Sequence, residues 1–229
     1  LERCGIPMRD ASFVVHHYGY LDDQRQQRKK EYYYELGKKK YDESGGAPHA
    51  TVELAIQAAG VGRYDEAIML WHKALEIDAD SYLAWFNLGH AYLQKAQFAQ
   101  GSTACHRAMD LRENYREAVV NAAICEVAQG NLSAARKLVA DSLPQNPDYP
   151  ILPLMEAILL VLQGEIETAL RQFTVLQENR IEFKGFLHEV VVKLVQGGQL
   201  QAAQQLVKSA AAGGFCSSKT VEFLKRQSL

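Results

Sequence analysis

Long apolar runs, paired cysteines and a surplus of either charge are all missing from this sequence, and each absence excludes a class of protein. No stretch of the 229 residues approaches the roughly 18 apolar residues that cross a bilayer, so no membrane span is expected. The opening Leu1-Glu2-Arg3-Cys4 lacks the basic and apolar regions of a secretory leader, which makes a cytoplasmic location the expectation. Cys4, Cys105, Cys125 and Cys216 lie far apart, without a CxxC or a Cys/His cluster, and read as reduced thiols, not as a zinc site or a disulfide framework. The sequon Asn131-Leu132-Ser133 falls between two expected helices and reads as a chance match. There is no DxD and no glycine-rich phosphate loop, and His72, His90 and His106 lack a carboxylate or histidine partner one helical turn away. No metal, cofactor or self-contained catalytic site is expected. With 48% hydrophobic residues and a formal charge of −2, the chain can bury a core and is neither disordered nor supercharged.

What is present is a repeat. Sliding the chain against itself by 34 residues aligns Gly62, Gly130, Gly164 and Gly198, and with them Ala67, Ala135, Ala169 and Ala203. Glycine in the first set can take positive φ where a helix ends; a small residue in the second lets two helices approach closely. The second unit departs, with Ala96 in the glycine position and Gly101 in the alanine position. Trp85, Leu88 and Tyr92 share one helical face and are met by Phe98, Cys105 and Ala108 on the next helix. Trp71 and Trp85 read as packing residues, and Pro147 and Pro150 punctuate the boundary between the third and fourth units.

Gly62-Arg63-Tyr64-Asp65-Glu66-Ala67 and Trp85-Phe86-Asn87-Leu88-Gly89-His90-Ala91-Tyr92 resemble the middle turn and the first helix of tetratricopeptide repeats. The resemblance implies an all-α superhelical solenoid of five helix pairs, units one to five, at 48–81, 82–115, 116–149, 150–183 and 184–217. Residues 218–229, with Val221, Phe223 and Leu224 beside Lys219, Lys225 and Arg226, are expected to form a capping helix.

Residues 1–47 do not share the register. Ala11–Val15 reads as a short strand leading into His16-His17-Tyr18-Gly19-Tyr20. Together with the charged helix that follows, this resembles the end of the catalytic domain in bacterial family 2 glycosyltransferases with C-terminal repeats of this kind. The resemblance implies that 1–20 is a remnant of an upstream catalytic domain and 21–47 a connecting charged helix and linker, with no catalysis by this chain alone. In the parent enzyme His17 would be a candidate ligand for metal or diphosphate; equally, one of two adjacent strand histidines faces away from any site. Asp22-Asp23 reads as an acidic pair at a helix N-terminus. Lysines, arginines and tyrosines between Arg25 and Lys40 are balanced by Glu31, Glu35, Asp42 and Glu43, so a solvated helix is expected and not a nucleic-acid surface.

The family resemblance also implies which first-helix positions face the concave groove. These include Phe86, Asn87, His90, Asn121 and Ile124, which we expect to form a site for a protein or peptide partner. Asn87 and Asn121, one period apart, suit a carboxamide ladder along a peptide backbone, and read equally as solvated residues of the groove wall. His49, Val52, Glu53 and Ile56 do not supply the basic clamp that captures chaperone C-terminal tails. In unit four, Ile151, Leu154, Met155, Ile158, Val161 and Leu162 are expected to form an apolar interface covered by the Asp22–Lys40 helix, by a second copy in a homodimer, or by a partner. The expected function is thus a protein-interaction scaffold in the C-terminal region of a glycosyltransferase, the alternative being a free-standing adaptor or oligomerisation module.

Overall fold

The computed structural model describes residues 23–227, and among these there is no strand. Helix α1 (Asp23–Glu43) is followed by α2 (Pro48–Gly60), α3 (Tyr64–Ile77), α4 (Tyr82–Gln94), α5 (Phe98–Leu111), α6 (Arg116–Ala128) and α7 (Leu132–Ser142). After a 3-10 turn at Leu143–Gln145 come α8 (Ile151–Leu162), α9 (Ile166–Glu178), α10 (Lys184–Gln196), α11 (Leu200–Ala212) and α12 (Ser218–Gln227). The expected strand at Ala11–Val15, His16 and His17 lie outside the described residues.

Local chemistry accounts for the helix ends. Proline opens α2, its fixed φ matching a first helical position. The Ser81 hydroxyl accepts the Ala84 N–H at the start of α4, and Asp65 and Glu66 sit in the first turn of α3, where the helix dipole favours acids. The hairpin turns use left-handed backbone: Gly62, Gly130, Gly164 and Gly198 have φ between 78° and 89°. Ala96 occupies the equivalent turn at φ 57°, so a residue with a side chain is held in the conformation glycine takes elsewhere.

Successive helices pair as hairpins, and α4, α6 and α8 each pack on the second helix of the preceding hairpin. Helix α1 packs on α2 through Tyr34, which is 1% exposed; its hydroxyl donates to Glu66 Oε2 at 2.8 Å, and the Arg63 guanidinium lies 4.6 Å from its ring centroid. The fold class is therefore the expected all-α solenoid, with a departure in its last pair. Outside its own hairpin, α10 packs chiefly along α6, and α11 packs against α8 and α9. Helix α12 packs on α10 and α11, burying Thr220 and Leu224.

This departure corrects the expectation for unit four. Leu154, Met155, Ile158 and Val161 are fully buried, Leu162 is 9% exposed and Ile151 is half-buried, so the stripe is not a free interface. Its cover comes from the chain itself: these residues belong to one apolar cluster with Ile124, Leu187, Val191, Leu206 and Val207. The reason is visible in composition, because an apolar helix without a polar face is stable only at the centre of a bundle. The homodimer expected through this stripe loses its surface, and the Asp22–Lys40 candidate for its cover is excluded by the seat of α1 on α2.

Candidate functional site: the inner face of the first helices

The inner positions of α2 and α4 leave large apolar side chains in solvent: Val52 is 37% exposed, Ile56 54% and Leu83 49%. Beside them a cleft of about 380 Å³ opens between the start of α2, the end of α3 and the start of α4, lined by His49, Val52, Ile77 and Ser81 among others. Glu53, on the same helix, is bonded to Lys40 of α1, and this hydrogen bond holds its carboxyl below the usual carboxylate range. The inner surface here is largely apolar, with Asp78 on the cleft wall and the Lys40–Glu53 ion pair on its flank.

Phe86 is half-buried, its ring 5.0 Å from that of Tyr115. Asn87 is half-buried too and donates to the Leu83 carbonyl of its own helix at 2.7 Å. Asn121 is half-buried one repeat further on. Ile124 corrects the expectation: it is 2% exposed, because α10 lies along α6 and draws it into the core.

His90 marks the seam where the open face ends. Burial holds its imidazole below the ordinary histidine range, with Lys193 acting in the same direction and Glu189 opposing. Across the seam Gln94 donates to Glu189 Oε1 at 3.3 Å and accepts from Lys193 Nζ at 3.2 Å. Lys193 is only 4% exposed, and desolvation lowers its pKa. Close backbone contact secures the same junction, since a Cβ at Gly197 would lie 1.9 Å from the Ala128 carbonyl oxygen. The roles of Glu189, Lys193 and Gly197 escaped sequence reasoning; the available signal was an i, i+4 charged pair set into the apolar stretch Val190–Leu194 of α10.

No group of three or more histidine, cysteine, aspartate or glutamate side chains among the described residues is arranged to hold a metal ion. Burial pushes the Cys105 thiol up to about 12 and the Cys125 thiol higher still, so neither offers a thiolate nucleophile at neutral pH.

The helix pairs and their inner face define a tetratricopeptide-type solenoid, and comparison with known proteins agrees. Residues 61–95 match a tetratricopeptide repeat family model. Over 111 residues, 48% of this chain, the sequence is 24% identical to a tetratricopeptide repeat-containing protein, trd-1, of Caenorhabditis elegans. The match spans only 14% of that protein. A tetratricopeptide repeat protein of Parabacteroides merdae has a similar fold, with a TM-score of 0.64 at 16% identity over 90% of this chain and 80% of that one. YrrB, described as a repeat protein with an unusual peptide-binding site, gives 0.56 at 16% identity over 84% of this chain and 99% of its own. No described helix is long and apolar enough to cross a membrane.

Proposed function

We propose that this chain is a cytoplasmic protein-interaction scaffold whose working surface is the open inner face of α2, α4 and the adjoining part of α6. The observation that carries this reading is the exposure of Val52, Ile56 and Leu83 at groove positions, next to the carboxamides of Asn87 and Asn121. Solvent-facing apolar side chains of this size, clustered beside hydrogen-bonding amides, suit a peptide or helix that buries a few apolar anchors. The peptide-binding description of YrrB favours the same reading. Because α10 lies along α6 and Ile124 is buried there, the ligand engages units one to three and not the whole array. To test this, peptides selected from a displayed library against the wild-type chain are measured against an Ile56→Glu/Leu83→Glu variant that keeps its melting temperature. Loss of binding by at least tenfold is expected; unchanged affinity for the variant would remove the inner face as the site.

The string His17-Tyr18-Gly19-Tyr20 beside the repeats supports a further reading, in which this scaffold forms the C-terminal region of a family 2 glycosyltransferase, with partner binding serving the enzyme. Sequence upstream of Leu1 decides between that and a free-standing adaptor. A nucleotide-sugar domain with an aspartate-rich metal motif is required by the first and ruled out by the second.

A further inference from the structure

The cleft at the start of α2 is open because unit one lacks large side chains that unit two has. One period on, the positions of Pro48, Val52 and Ser81 are held by Tyr82, Phe86 and Tyr115. Those three rings close the equivalent place in unit two: Tyr115 lies 5.4 Å from Tyr82 and 5.0 Å from Phe86, centroid to centroid. The floor is the same in both units, with Ala74 and Ala84 standing where Ala108 and Ala118 stand, so it does not rise to take up the room of the missing rings.

Charge is inverted at the same place. Unit two has Arg112, whose guanidinium lies 4.7 Å from the Tyr82 ring centroid and 5.0 Å from that of Tyr115; unit one has Asp78 in that register position. Asp78 is the only carboxylate lining the cleft, and no lysine or arginine lines it. It accepts the Asp80 N–H at 3.2 Å and has no ion-pair partner among the described residues, whereas Glu53 is paired with Lys40 and Asp80 with Arg107 at 3.5 Å. Asp78 also follows the C-terminus of α3, which has no basic residue in its last turn, so the helix dipole adds to the negative field at the cleft wall. An apolar hollow with one uncompensated carboxylate at its wall is complementary to an apolar side chain next to a cation.

Building on the inner face as a peptide site, we propose that its partner is a peptide segment in which a bulky apolar residue is flanked by a lysine or arginine. The apolar side chain sits in the cleft against Val52 and Ile77, and the cation meets Asp78.

The test is a displayed library of random peptides sorted on the full wild-type chain and, in parallel, on Asp78→Arg. The selected peptides are then titrated against Asp78→Asn, which keeps the acceptor for the Asp80 N–H. Wild-type binders are expected to carry lysine or arginine beside a bulky apolar residue and to bind Asp78→Asn about two- to fivefold more weakly, the size of one exposed ion pair. Sorting on Asp78→Arg is expected to enrich aspartate and glutamate there instead. Val52→Phe, which restores the unit-two ring at a position 37% exposed, narrows the cleft and weakens the same peptides by about tenfold with the melting temperature kept. Binders that are lost on Ile56→Glu/Leu83→Glu but show no basic preference, or that bind Asp78→Asn as tightly as wild type, overturn the cationic partner and leave the inner face as the site. Unchanged binding by Val52→Phe takes the apolar anchor out of the cleft and overturns it too. Binders indifferent to Ile56→Glu/Leu83→Glu, or a wild-type sort that yields none, remove the inner face and the basic partner with it.

Discussion

Units one and two keep their inner face in solvent, whereas units four and five fold theirs shut, although all are written in one 34-residue register. The difference lies in what each first helix exposes. Along α2, the exposed apolar residues Val52 and Ile56 are interspersed with His49 and Glu53, and the face stays in solvent. Glu156 is the one charged residue of α8, which is otherwise apolar around its circumference; leaving either side wet forfeits about 25 cal/mol for each Å² of apolar surface. Sending α11 onto α8 and α10 onto α6 removes that cost, and a solenoid gives way to a bundle within one chain. Local repeat chemistry thus fixes each hairpin, while the distribution of apolar surface decides how one hairpin sits on another.

The sharpest break in this comparison is a single carboxylate placed on either side of it. Met155→Glu puts an unpaired charge at a fully buried position and is expected to cost about 4 kcal/mol or more, removing the cooperative melt followed by circular dichroism. Ile56→Glu, at a position 54% exposed, is expected to change stability by no more than about 0.5 kcal/mol. Similar melts for the two variants would mean that α8 is as open as α2.

A finer cut separates the hairpins from their docking. Gly197→Ala introduces a methyl group against the Ala128 carbonyl at the end of α6, where backbone cannot yield without moving a helix. The expected cost is about 1–3 kcal/mol, typical of overpacking. Amide exchange should accelerate in α10 and at the end of α6, and stay at wild-type rates from α2 to α5. Uniform acceleration along the chain would show that the fifth pair stabilises the whole array and not only its own seat.

Helix pairing was legible in the sequence because its determinants are local. The turn glycines and small residues recur in phase, and even the exception at Gly101 has a structural reason: a Cβ there would lie 2.9 Å from Cys125 Sγ and 3.3 Å from the Gly89 carbonyl oxygen. The apolar circumference of α8 announced burial, but not by what. Its cover comes from α11, some forty residues away in sequence, and depends on the shapes of Leu206 and Val207 against α8, which no periodicity encodes. The site was legible to the same extent. Inner positions could be assigned by register, yet the loss of Ile124 to the core and the bond that turns Asn87 back to Leu83 arise from packing and rotamer choice. Glu189 and Lys193 matter only because α10 crosses to Gln94, a consequence of the same non-local docking.

The smallest expected effect tests how strictly the hairpins follow their local rule. Ala96 sits at φ 57° in the turn between α4 and α5, where its Cβ crowds the following carbonyl; the left-handed form costs a non-glycine residue about 1–2 kcal/mol. Replacement by glycine relieves that strain but frees the unfolded chain, a loss of about 0.5–1 kcal/mol. Because strain exceeds the entropic loss, Ala96→Gly should raise stability by about 0.5 kcal/mol, or Tm by about 1–2 °C in a chain of this size. A fall in Tm would mean that the alanine methyl, half-buried against the central core, packs well enough to outweigh the strain, and that tertiary contact prevails over local backbone preference even in the turns.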